Sequence, residues 1–181
     1  MTKAQARALV READFDDAAA IGFVQVTTWR AAYAGILPQG YLDAMSDIRH
    51  AACWAEVLDH PERRGVTMVA EIEEAGIIGF ADCGFERGAE DAKKGEVTAI
   101  YVLPGHQRSG VGRALIAAGA HALQASGAGE LAIWALEKNP ARRFYERLGG
   151  AVSAKRQVRF YGQELTEVCY RWADIGVLRT E

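Results

Sequence analysis

Residues 96–112 read EVTAIYVLPGHQRSGVG, and this stretch decides the fold. Its first part, to Leu103, is dense in β-branched and aromatic side chains and closes at Pro104, the pattern of a strand. From Val111 onward Val111, Ala114, Leu115, Ala118 and Ala122 fall at helical spacing on one face. Between strand and helix lies a polar loop with Gly110 and Gly112. Glycines let the chain turn so that several N–H groups aim at one spot, which is also the positive end of the helix dipole. A diphosphate suits such a spot, and Arg108 and Arg113 stand beside it to add charge-assisted hydrogen bonds.

Working outward, ELAIWAL at 130–136 is a second strand, and Pro140 is well placed as the first residue of a helix that runs to Leu148 and stops at Gly149-Gly150. Residues 151–172 read as two strands around Gly162-Gln163. Upstream, VTMVAEI (66–72) and IIGFADCGF (77–85) flank Glu74-Ala75-Gly76 as a hairpin. ERGAEDAKKG (86–95) is the most loop-like segment. Nearer the start, Ala8 to Arg11 can form a short strand, and Asp14 with Asp17 forms a capping box. The helix it opens carries Ile21, Val24, Thr28 and Ala31 or Ala32 at helical spacing, and Gly35 with Pro38 ends it. Ser46 caps a second helix that reaches Leu58 before Pro61. The order β-α-α-β-β-β-α-β-α-β-β predicts an α/β (α+β) fold, a mixed sheet with helices on its faces.

The 181 residues fit a single domain over 1–181 with a core that needs no staples. Half the chain (50%) is hydrophobic and 25% is charged, which excludes disorder and collagen-like structure. A net charge of −3 argues against a general nucleic-acid partner. Cys53, Cys83 and Cys169 are odd in number and far apart, so they indicate neither a disulfide framework nor a zinc site, and buried reduced thiols are expected. His50, His60, His106 and His121 are scattered. The opening residues lack the apolar run of a signal segment, and no stretch approaches the ~18 apolar residues of a membrane span. The expectation is a cytoplasmic protein with no metal and no membrane partner.

Several readings compete for the 103–113 loop. It can be a plain glycine-rich connection. A dinucleotide fingerprint needs G-x-G-x-x-G in a tight turn directly after the strand. Here Leu115 takes the third glycine's place, and six residues separate Leu103 from Gly110. A Walker loop lacks its Gly-Lys-Ser/Thr. The remaining reading is by resemblance. Gln107-Arg108-Ser109-Gly110-Val111-Gly112 resembles the Q/R-x-x-G-x-G/A signature of the Gcn5-related N-acetyltransferases, the GNAT superfamily. A second block, Asn139-Pro140-Ala141, Phe144-Tyr145-Glu146 and Leu148-Gly149-Gly150, resembles that family's N-x-x-A-x-x-F-Y-E-x-x-G-F, with Gly150 where an aromatic is commoner. The two blocks stand at the family's spacing.

The resemblance implies a GNAT-like fold with splayed central strands and transfer of an acetyl group from acetyl-CoA to a primary amine. It places the pyrophosphate on Gln107 through Arg113. It places the oxyanion and the pantetheine arm on the backbone of Ile100, Tyr101 and Val102, and a cofactor contact on Asn139, which also has a capping reason to exist. Tyr145 matches the family's tyrosine acid. A phenol near pKa 10 and a thiol near 8.5 make protonation of the thiolate uphill by about 2 kcal/mol unless the site depresses Tyr145. Glu96 is the best candidate for the base, directly or through water. Members that acetylate protein N-termini often carry a glutamate where this chain has Trp134. Trp29, Tyr33 and Tyr41 are candidates for the acceptor wall, although core packing is the commoner fate of such aromatics. A small-molecule amine is the favoured acceptor. A protein acceptor, or a non-catalytic acyl-CoA sensor on the same fold, is the alternative. The C-terminal hairpin is a candidate for strand pairing across a homodimer.

Overall fold

The computed structural model describes residues 8–86 and 93–179. Among the described residues the strands are β1 (Leu9–Glu12), β2 (Gly65–Ile72), β3 (Gly76–Phe85), β4 (Lys94–Val102), β5 (Glu130–Leu136), β6 (Ala151–Phe160) and β7 (Gln163–Trp172). The helices are α1 (Ala18–Ala32), α2 (Gln39–Ala44), α3 (Asp47–Leu58), α4 (Val111–Ala125) and α5 (Arg142–Arg147). The strands form one sheet in the order β1-β2-β3-β4-β5-β7-β6.

Only β4 and β5 run parallel. A parallel pair cannot be closed by a tight turn and needs a crossover, which α4 supplies. One face of the sheet is covered by α4. Its buried residues are Val111, Leu115, Ile116, Ala117, Gly119, Ala120 and Leu123. The buried face is thus rotated from the sequence expectation: Ala114, Ala118 and Ala122 are only half-buried, because Ile116 and Leu123 carry more apolar area into the core. Burying each such aliphatic side chain contributes about 1.5–3 kcal/mol.

On the other face α1 and α3 cover β2 to β4. Ile21, Val24 and Trp54 pack there on Val69 and Phe80. The Asp14 capping box is present and is extended by Arg11, which grips the Asp17 carboxylate at 2.6 and 2.9 Å. The Ser46 hydroxyl accepts from Arg49 N–H at 3.4 Å, as its capping role requires. The short helix α2 was not expected from the sequence: six residues lie below the length at which helical periodicity is visible. Cys83 and Cys169 are buried, but Cys53 is exposed on α3, a correction to the expectation of three buried thiols. β4 begins at Lys94, inside the segment expected to be loop, and residues 87–92 of that segment lie outside the described residues.

The decisive irregularity is in β4. Val97 pairs with Cys83 and Ala99 with Asp82, so Thr98 is an extra residue, a bulge. The β4–β5 ladder runs only from Lys94↔Glu130 to Val97↔Ile133 and stops at the residue before that bulge. A bulge bends its strand and increases the twist. The ends of β4 and β5 therefore diverge, and a wedge opens between them. The Asp82 carboxylate fixes the bulge by accepting from the Thr98 hydroxyl, from the Arg63 guanidinium and, at 2.8 Å, from the Thr67 hydroxyl.

Candidate functional site

Backbone alternation determines what faces the wedge. Leu103 N–H donates to Ile78 C=O at 2.9 Å, so Leu103 and, two residues back, Tyr101 turn their main-chain groups toward β3. Ile100 and Val102 consequently turn theirs into the wedge. Val102 C=O there accepts from the Gln107 side chain at 3.0 Å, which ties the strand end to the loop. Of the three residues Ile100, Tyr101 and Val102, the middle one reaches the opening only through its side chain.

The loop that follows is held by the Ser109 hydroxyl, which donates to His106 C=O at 2.6 Å. Arg108 and Gly110 have φ of +60° and +88°, left-handed conformations that swing successive amides toward one side. Gly110 is the N-cap of α4, and the first helical bond runs from Ala114 N–H to Gly110 C=O. The N–H groups of Val111, Gly112 and Arg113 therefore have no acceptor among the described residues. A Cβ on Gly112 would come within 3.2 Å of the Phe144 ring, so the second motif block packs directly on the first. Phe144 is a site residue that sequence reasoning did not single out, although the block containing it was read.

Opposite the loop, tyrosines converge from three elements. Tyr145 on α5 is buried with Tyr170 and Trp172 on the α4 side of the sheet. Burial pushes its phenol well above the usual range, and Tyr33 and Tyr170 add to that shift. Sequence reasoning left open whether the site depresses Tyr145; the site does the reverse. Tyr33, just past α1, is likewise raised by burial, while the Asn139 amide lowers it by donating to its hydroxyl at 3.2 Å. Asn139 also accepts from Ala141 N–H at 2.8 Å, which fixes its orientation and makes the expected cap before α5. Tyr101, half-buried, is also raised well above the usual phenol range, chiefly by burial of its hydroxyl.

Trp29 lies 4.9 Å from the Tyr33 ring, 6.1 Å from Tyr41 and 6.3 Å from Tyr101. Its buried indole N–H has no well-formed hydrogen bond among the described residues. Phe160 and Tyr161, at the tip of the β6–β7 hairpin, meet the Tyr41 ring at 4.8 Å edge-to-face and 4.5 Å tilted, and close this wall. They were missed. Two adjacent aromatics beside Gly162, at a turn where polar residues dominate, are the signal that could have found them.

Glu96 pairs with Gly84 and Ala132, one rung below the last β4–β5 rung, and lies on the same sheet face as Tyr101. Trp134 carries the Arg156 guanidinium 4.0 Å over its ring, and Arg156 also pairs with Glu167 at 2.6 Å. Among the described residues no group of three or more His, Cys, Asp or Glu side chains could hold a metal ion, and no helix is long and apolar enough to cross a membrane.

A bulged β4, a splayed parallel pair and a helix mouth with open amides define an acyl-CoA N-acyltransferase fold. The sequence matches the acetyltransferase (GNAT) family model over residues 26–150. The chain belongs to this family and is an N-acetyltransferase with acetyl-CoA as its acetyl donor. It is 34% identical over 171 residues to the uncharacterised N-acetyltransferase YuaI of Bacillus subtilis (strain 168), covering 94% of this chain and 96% of that one. Its fold is similar to PaiA N-acetyltransferase from Thermoplasma acidophilum, solved in complex with coenzyme A (TM-score 0.71, 16% identity, 89% of this chain and 97% of that one). It is also similar to YncA from Salmonella typhimurium, solved with its cofactor acetyl-CoA (TM-score 0.70, 23% identity, 92% and 94%).

Proposed function

We propose that the chain, as one domain over 1–181, acetylates a primary amine of a small molecule by direct attack of the amine on acetyl-CoA. The observation that carries this reading is the wedge itself, with main-chain donors on one side and an aromatic, closed wall on the other. The open amides of Val111, Gly112 and Arg113, with Gln107, Arg108, Ser109 and Gly110 shaping the loop, fit a diphosphate. Acetyl-CoA supplies the thioester. The N–H groups of Ile100 and Val102 point to where charge develops on its carbonyl oxygen.

Tyr145 is the donor to the departing sulfur. With its pKa raised, handing the proton over outright is uphill by more than the roughly 2 kcal/mol separating a free phenol from a thiol. Its contribution is a hydrogen bond to developing charge. Glu96 is the base, acting on the acceptor ammonium through water. The place where some family members have a glutamate is occupied by Trp134 with a guanidinium on it, which repels an ammonium.

Phe160 and Tyr161 shutting the end of the Trp29–Tyr33–Tyr41 wall favour a compact acceptor over an extended peptide. The β6 edge offers a surface for a homodimer, although its Lys155, Arg156 and Arg159 oppose self-pairing. A mass-spectrometric screen of amines and peptides with acetyl-CoA tests the reading. Acetylated small amines, with intersecting initial-rate lines, are expected. Transfer to peptides alone, a ping-pong pattern, or tight coenzyme A binding with no transfer at all contradicts it.

A further inference from the structure

A cavity of about 410 Å³ lies at the far end of α4 from the wedge. Four segments wall it: the end of β1 with Glu12, the start of β2 with Arg64 and Val66, the end of β3 with Phe85, and the last turn of α4 with Ala122 and Leu123. Ala122 stands well past Val111, roughly 16 Å along the helix axis, so the cavity shares no residue with the diphosphate loop. Its volume falls among those of small-molecule sites, about 300–1,000 Å³.

The lining is apolar below and charged above. Val66 and Leu123 are buried members of the core on the α4 face, with Phe85 half-buried against it. Arg63 also lines the cavity but is committed: it donates to the Thr67 hydroxyl at 2.7 Å and to the Asp82 carboxylate. Arg64 is exposed and has no anionic partner among the described residues. Its guanidinium stands 5.0 Å over the Phe85 ring, which holds it at the cavity while leaving its N–H fork to an incoming oxyanion. Glu12 has no cationic partner among the described residues, and it does not pair with Arg64 although both line the same space. The last turn of α4 carries no basic residue, so the negative end of its dipole adds to the attraction of Glu12 for a cation.

We propose that this cavity binds a zwitterionic α-amino acid with an apolar side chain, as a ligand separate from both substrates. Arg64 takes the carboxylate, Glu12 takes the ammonium, and Val66, Leu123 and Phe85 take the side chain. An α-amino acid carries both charges on one carbon and sends its side chain in a third direction, so three contacts of different chemistry fix it. A fatty acid offers Glu12 no cation, and an alkylamine offers Arg64 no anion. Bound there, the amino acid joins the β1–β2 edge to the end of α4. The inference is independent of the acetyl-transfer reading, since neither Arg64 nor Glu12 belongs to the wedge.

The test is an amide NMR titration of the full chain with L-leucine and with L-phenylalanine, in the presence and absence of coenzyme A. Saturable shifts are expected at Gly65, Val66, Leu123 and Ser126, while the amino acid leaves Val111, Gly112 and Arg113 unmoved. N-acetyl-L-leucine and L-leucinamide, each lacking one of the two charges, bind about two- to fivefold more weakly than L-leucine, the worth of one exposed charge pair. Arg64→Ala and Glu12→Gln weaken L-leucine by a similar factor and leave coenzyme A affinity unchanged, and Arg64→Lys recovers part of the loss. The spectrum of each variant establishes that it is folded. Four results overturn the inference: no saturable shift, shifts confined to the wedge, equal binding of L-leucine and its two singly charged analogues, or cavity shifts that survive both Arg64→Ala and Glu12→Gln undiminished. Coenzyme A binding is read in the same samples, so a failure of the diphosphate grip shows separately.

Discussion

The two walls of the wedge are built on different principles. The wall proposed for the cofactor is mostly main chain: the turned-in groups of Ile100 and Val102, the amides at the mouth of α4, and glycines where a left-handed turn or a close ring demands them. The wall proposed for the acceptor is side chain, with Trp29, Tyr33, Tyr41, Tyr101, Phe160 and Tyr161 arriving from three distant segments. Main-chain recognition leaves a local trace in the sequence, because only certain residues permit the backbone geometry. Side-chain recognition assembled through the tertiary fold leaves a much weaker one, since an aromatic in a core and an aromatic in a pocket look alike in sequence.

The sharpest break of that contrast is Gly110→Val. A Cβ there meets nothing within 4 Å, so the damage comes from φ alone, which at +88° is a genuine outlier for a β-branched residue. Calorimetry should show acetyl-CoA binding lost, with Gly110→Ala intermediate. Unchanged affinity in both would mean the wall does not depend on the turn.

Tyr145→Phe comes next. Loss of one hydrogen bond to developing charge lowers kcat by about 10–10²-fold and leaves acetyl-CoA affinity in place. Because burial raises this phenol, it stays protonated through and beyond pH 10, and its donation is lost only as pH climbs past its raised pKa. A pH–rate profile with a limb near 8 or 9 that vanishes in Tyr145→Phe would contradict the assignment.

On the acceptor wall, Tyr33→Phe removes the oxygen that accepts from Asn139. It should raise the acceptor KM about two- to tenfold, with little change for acetyl-CoA. An equal loss for both substrates would erase the distinction between the walls. The smallest effect concerns thiols. Burial pushes Cys83 up to about 12, so at pH 8 alkylating reagents should label the exposed Cys53 and spare Cys83 in the folded chain.

Much of this was legible in sequence, for reasons that can be named. The strand at 130–136 was bounded correctly because Gly129 and the Glu137–Pro140 turn punctuate it sharply. The Ser46 cap and the hairpin 65–85 were readable from single residues with strong local preferences. The Thr98 bulge was not: EVTAIYV is an unbroken β-forming run, and the bulge follows from Asp82, a partner on another strand that holds the Thr98 hydroxyl. The upward shift of Tyr145 was equally hidden, since its burial, and the nearness of Tyr33 and Tyr170 that adds to the shift, are properties of the assembled fold.

The central claim is that free amides opening α4 grip the nucleotide's diphosphate. A crystal structure with coenzyme A tests it most directly. The account predicts diphosphate oxygens within hydrogen-bonding distance of the N–H groups of Val111, Gly112 and Arg113, with the thiol arm running along Ile100 and Val102. A nucleotide seated elsewhere, with those three amides bonded only to water, would contradict it.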